Sequence, residues 1–97
     1  MKSLLVLNTS LELEEDMVDF LLEQDDISGF TSYRVNGHGE AGAWHLVEQV
    51  TGRRKRIQFE ITMAASLVDK LIDSLSVSVG KDIYFYELPV RREGHLR

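Results

Sequence analysis

The chain has no cysteine, a single proline, a single tryptophan and no long hydrophobic run in its 97 residues. Without cysteine there are no disulfide frameworks, thiolate metal centres or nucleophilic thiols, which agrees with a reducing compartment. The apolar run nearest the start, Leu4 to Leu7, is far too short for a signal-peptide core or a membrane span. The expectation is a cytoplasmic protein with no direct membrane insertion. Cations are scarce at the start: residues 1–26 carry Lys2 alone against eight acidic side chains. The net charge of −5 argues against nucleic acid as a partner, because affinity for phosphate backbones needs clustered, uncancelled cations. The basic residues that are present gather at Arg53-Arg54-Lys55-Arg56 and Arg91-Arg92. The first run reads by default as a solvated strand entrance that discourages edge pairing.

An apolar share of 43% over 97 residues suits one domain with one core, so residues 1–97 are read as a single unit. Leu4-Leu5-Val6-Leu7 has the continuous apolar character of a buried central strand. Thr9 with Glu12 forms a capping-box pattern, and the helix behind it carries Leu13, Met17, Phe20, Leu21 and Gln24 at spacings of three and four. The acidic residues fall mainly on its other side, as a wet face. Asp25 to Gly29 interrupts the pattern, and Phe30 to Val35 reads as a strand ended or bent by Asn36-Gly37. Ile57, Phe59, Ile61 and Met63 alternate with Arg56, Gln58, Glu60 and Thr62, which is a strand with one apolar face. A second helix is expected to open at Ser66, with Asp69 three residues on, and to bury Leu67, Val68, Leu71, Ile72 and Leu75, while Ser76 to Gly80 leads out of it. The last strand begins at Ile83-Tyr84-Phe85-Tyr86, and Pro89 is expected to end its ladder.

The order β-α-β-β-α-β defines an α+β, ferredoxin-like plait: a four-stranded antiparallel sheet with both helices on one face. The other face then carries either Tyr84 and Tyr86 or Ile83 and Phe85, beside a first strand that is apolar on both sides. A patch of that kind marks an interface, so a symmetric oligomer packed through its sheets is expected, with scattered aromatics on a monomer as the alternative. The two middle strands are joined by a long segment of about residues 37–53 that contains the sole Trp and two of the three His. Connections longer than a hairpin needs are usually functional or disordered, so this arm is the first place to seek function.

The run Ile27 to Gly39, ending in Gly37-His38-Gly39, resembles the stretch of PII signal-transduction proteins, the nitrogen-regulatory superfamily, that leads into their T-loop. The similarity continues through Arg54 to Ile61, Val68 to Asp73 and Gly80 to Val90. It is nearest to a small bacterial branch encoded beside heavy-metal efflux pumps of the resistance-nodulation-division type. The resemblance implies a homotrimer with sheets inward and helices outward. It also implies a non-catalytic signalling role, effector clefts between subunits, and a protein partner that is a membrane transporter or an enzyme. In that family the clefts bind adenine nucleotides. Carried onto this chain, Gly37 and Gly39 match the turn, Arg54 or Lys55 the basic position at the far base of the arm, and Lys81 the lysine that opens the last strand. Arg91 and Arg92 match the C-terminal cations loosely. The glycine-rich loop before the last strand is shortened to Ser74–Gly80, and the arm is short and lacks the modifiable Tyr, so uridylylation does not carry over. A ligand can shift the arm only by binding one of its states better than another, which assigns Gly37, His38 and Arg54 as contacts that differ between states.

The effector is left open between an adenine nucleotide and a divalent metal. His38 and His45, with Glu40 and Glu48, are donors that zinc, nickel or copper accepts, although nothing in their spacing presets them on one face; solvent exposure is the competing reading. Trp44 is read either as a cap on the cleft or as an anchor for a partner protein. Residues 91–97, including His95, read as a tail. A small plait-fold enzyme is the alternative from another class. No phosphate-binding loop with its Arg and Asn occurs early in the chain, where an acylphosphatase places one. Tyr84 and Tyr86 lack the aromatic third-strand motif of RNA-recognition modules.

Overall fold

The computed structural model describes residues 1–38 and 54–97. In chain order it contains β1 (Lys2–Ser10), a 3₁₀ turn (Leu11–Leu13), α1 (Glu14–Leu22), β2 (Thr31–Gly37), β3 (Arg54–Ala64) and a second 3₁₀ turn (Ala65–Leu67). α2 (Val68–Ser78) and β4 (Ile83–Val90) complete it. The strands form one sheet in the order β2-β3-β1-β4, and each neighbouring pair is antiparallel. The expected plait, with four strands and two helices, is the observed fold.

Strand alternation decides which side chains meet the helices. Leu5 and Leu7 of β1 lie opposite Ile61 and Phe59 of β3, and all four join Met17 and Leu21 of α1 and Val68, Leu71 and Leu75 of α2 in one buried cluster. Phe59 is fully buried and meets Phe30 in a tilted ring pair with centroids 5.9 Å apart. Truncating such a ring to Ala costs about 3–5 kcal/mol. The same register turns Leu4, Val6, Tyr84, Tyr86 and Leu88 to the face without helices. Tyr84 and Tyr86, rather than Ile83 and Phe85, occupy that face.

Several local expectations are corrected. Thr9 does not cap α1: it is the penultimate residue of β1, fully buried, and its hydroxyl donates to the Asp82 carbonyl at 2.9 Å. Ser10 occupies the cap position of the 3₁₀ turn without a side-chain cap bond. Ser66 lies inside the second 3₁₀ turn, and α2 starts from Leu67, also without a side-chain cap. In both cases a tight turn closes the strand-to-helix corner through backbone groups, which satisfies the terminal amides another way. Pro89 does not end β4, which runs on to Val90 and pairs Pro89 with Ser3. As the outermost strand of the sheet, β4 accommodates a residue that has no N–H to offer a further neighbour. Ser76 to Ser78 belong to α2; the connection to β4 is Val79 to Asp82, with Gly80 at φ 151°, a backbone region that a side chain strongly disfavours.

Candidate functional site

Register places the candidate residues. Arg56 is opposite both Val35 and Ser10, and Thr9 is opposite both Ile57 and Ile83. The end of β2, the start of β3, the end of β1 and the start of β4 therefore share one end of the sheet. Gly37 pairs with Arg54 there, His38 follows and is exposed, and Lys55 is beside them. Lys81 lies at the same end but before β4, across three strand spacings, or roughly 14 Å. Arg91 follows Val90, which pairs with Lys2; the eight residues of β4 separate it from Lys81 by roughly 25 Å. One chain thus brings Gly37, His38, Arg54 and Lys55 together, sets Lys81 apart and puts Arg91 at the far end. Gly39, Trp44, His45, Glu40 and Glu48 lie outside the described residues.

Gly37 has a role that the sequence pattern did not suggest. A Cβ there would meet Cγ of Arg56 at 3.2 Å, so the missing side chain admits the stem of Arg56. A side chain at position 37 would therefore press on Arg56 and touch Arg54. Around Gly80, by contrast, an added Cβ meets nothing within 4 Å.

Arg56 is also where the basic run departs from a solvated strand entrance. It is 7% exposed, on the face without helices. Its Nε donates to Asn8 Oδ1 at 2.6 Å and its Nη2 to the Asn8 carbonyl at 3.0 Å. Asn8 Nδ2 donates to Gln58 Oε1 at 3.1 Å, Gln58 Nε2 donates to the Tyr33 hydroxyl at 2.6 Å, and that hydroxyl donates to Glu60 Oε2 at 2.6 Å. A continuous polar track thus crosses β1, β3 and β2 from the sheet end toward its middle. The hydrogen bond to the Glu60 carboxylate pushes the Tyr33 phenol above its ordinary 10.0, with the Gln58 contact working in the opposite direction. None of Asn8, Tyr33, Gln58 or Glu60 was a candidate from the sequence. Their signal was the alternation in β3, which marks Arg56, Gln58 and Glu60 as one face and leaves its cross-strand partners undefined.

Beside this track the open face is apolar and incompletely covered. Val6 is 2% exposed under its neighbours, whereas Tyr84 is 64%, Tyr86 40% and Leu88 48% exposed. Tyr84 and Tyr86 form a tilted pair with ring centroids 5.9 Å apart. A residue-poor metal environment completes the picture: among the described residues no three His, Asp or Glu side chains converge to hold an ion. His38 is exposed, and its expected co-ligand His45 lies outside the described residues.

Comparison with known proteins adds a family to this geometry. The chain belongs to DUF3240, described as a protein family of unknown function, whose model matches residues 1–97. The crystal structure of a DUF3240 family protein from Shewanella baltica OS155 is similar at 25% identity and a TM-score of 0.82, covering 99% of this chain and 97% of that one. The periplasmic divalent cation tolerance protein CutA from Archaeoglobus fulgidus shares the fold at 13% identity and a TM-score of 0.71, over 96% of this chain and 87% of its own. No functionally curated protein matches. Among the described residues no helix is long and apolar enough to cross a membrane.

Proposed function

We propose that this protein is a non-catalytic, cytoplasmic PII-like regulator that assembles as a homotrimer through its open sheet faces, binds a small effector in the clefts between subunits and acts on a protein partner. The observation that carries the reading is the helix-free face, where Tyr84, Tyr86 and Leu88 are held in the open beside Leu4 and Val6. A second layer must cover such a surface for its apolar area to be removed from water, and copies of the same chain supply one. The cleft residues are Gly37, His38, Arg54 and Lys55 at the strand end and Lys81 before β4. Arg91, at the opposite end of its own sheet, joins them from a neighbouring copy. Cations of this kind neutralise the phosphates of an adenine nucleotide. The partner class, a metal-efflux transporter, rests on the PII-like resemblance.

The test has two stages. Mass measurement in solution is expected to give three chains; a monomer overturns the assembly. Emission of Trp44, the sole Trp, is then followed during titration with ATP, ADP and cyclic AMP. A saturable response that is lost in His38→Ala and Arg54→Ala supports the effector site. A response to zinc or nickel alone, lost in His38→Ala and His45→Ala, replaces it with metal sensing. Silence to every ligand removes the effector from the reading.

A further inference from the structure

The two helices cover the centre of the sheet and leave its β4 margin bare. Phe85 has the register of a core residue, opposite Leu7, yet it is 47% exposed. Ile72 and Ile83 are only partly buried against the core cluster. Between α2 and β4 these side chains, with Leu7 and Leu75, line an open cleft of about 130 Å³. Among the described residues the cleft is an unfilled extension of the core.

Its polar groups are few. Ser76 lines one wall, but its hydroxyl proton is donated to the Asp73 carbonyl at 2.8 Å. Among the described residues the one charged side chain lining the cleft is Lys81, on a short connection anchored by the bond from Thr9 to the Asp82 carbonyl. An apolar cavity of about 150 Å³ accepts a benzene-sized guest. The volume here therefore suits one ring, and Lys81 sets the charge that the ring's substituent should carry.

We propose that the cleft between α2 and β4 binds a small monocyclic carboxylate, with the ring against Leu75, Ile83 and Phe85 and the carboxylate at the Lys81 ammonium. The apolar walls remove the ring from water, while the open mouth leaves the carboxylate partly hydrated, so the ion pair adds selectivity more than affinity. Anchoring of the segment that carries Lys81 limits the ordering cost of binding. The site is formed within one chain. It shares Lys81 with the proposed effector cleft but needs no second copy, so failure of the trimer leaves it intact.

Side-chain-resolved NMR of the full chain, titrated with benzoate and with benzyl alcohol, tests this. Benzoate is expected to move the Ile72, Leu75, Ile83 and Phe85 signals saturably, with a dissociation constant of roughly 1 mM or tighter for so small a ligand. Benzyl alcohol is expected to bind about two- to fivefold more weakly. Lys81→Met keeps the stem and removes the charge, and should bring benzoate down to the level of the alcohol. Ser76→Leu keeps a good helix former in α2 and fills the cleft, and should abolish both responses with circular dichroism unchanged. The proposal is overturned by an absence of shifts up to about 10 mM, by a benzoate response that survives Ser76→Leu, or by a carboxylate preference that survives Lys81→Met. Ligand-free dilution that moves the same signals also overturns it, since the cleft then belongs to a second copy's side chain.

Discussion

Tyr33 shows how a single side chain on a half-exposed sheet acquires a specific role. Its hydroxyl is the hinge of the polar track, accepting from Gln58 and donating to Glu60, and the hydrogen bond to the carboxylate, which needs the phenol proton, favours the neutral phenol. A phenol whose folded-state pKa is raised contributes stability that is fully present below the unfolded value and is lost as pH rises through the folded value. The contribution is therefore constant at neutral pH and declines on the alkaline side of about 10. The Tyr33 ring signals followed by NMR against pH should show its phenol titrating above the ordinary value of about 10, and Glu60→Gln should bring it back toward that value. An unchanged titration in that variant would show that Glu60 is not the cause. Gly37 makes a related point: its missing side chain serves the packing of Arg56, a role that only the neighbouring strand could assign.

At the scale of elements, both strand-to-helix corners replace side-chain caps with 3₁₀ turns. The sequence pattern at Thr9 and Glu12, and again at Ser66 and Asp69, has the spacing of a capping box, yet in each case the strand or the turn extends past the expected cap. The consequence is measurable. Ser66→Ala should cost less than about 0.5 kcal/mol in chemical denaturation, whereas a true cap would cost about 1 kcal/mol. Thr9→Val should cost about 1–2 kcal/mol, because it leaves the Asp82 carbonyl without its buried donor while preserving shape and strand preference. The reverse ranking would restore the capping interpretation. The helices were legible because their apolar spacing matches the faces they bury, Met17 and Leu21 in α1 and Val68, Leu71 and Leu75 in α2. Their first turns were not, because hydrogen bonds to backbone and to side chain compete there within a small energy difference.

For the whole molecule, the decisive feature is the asymmetry of the sheet. One face is covered by helices over its centre, and the other carries a polar track beside exposed aromatic and aliphatic groups. Tyr84→Glu with Tyr86→Glu, both on the open face and absent from the core cluster, should leave the fold of one chain intact and reduce the proposed trimer to monomers by light scattering. An unaltered mass in the double variant would mean that some other surface holds the copies together. The candidate cleft is a property of the same scale. Gly37, His38, Arg54 and Lys55 were legible as a group because they flank one connection, and the sheet does bring them to one end. The distances to Lys81 and Arg91 were not legible, since they depend on strand order and strand length.

The sequence by itself determined the plait, because period-two alternation in Ile57 to Met63 and the three- and four-residue spacing in both helices are local patterns tied to backbone geometry. It also determined that one sheet face would be left without helices, since two helices can cover only one side. Only the tertiary structure decided that Tyr84 and Tyr86 take that face, that Thr9 is a buried strand residue, and that Arg56 packs its stem beside Gly37 while its guanidinium reaches Asn8. Each of these depends on register between strands distant in sequence. A shift of one residue reverses every side chain in a strand, and no local pattern in β4, apolar on both faces, could choose between the two.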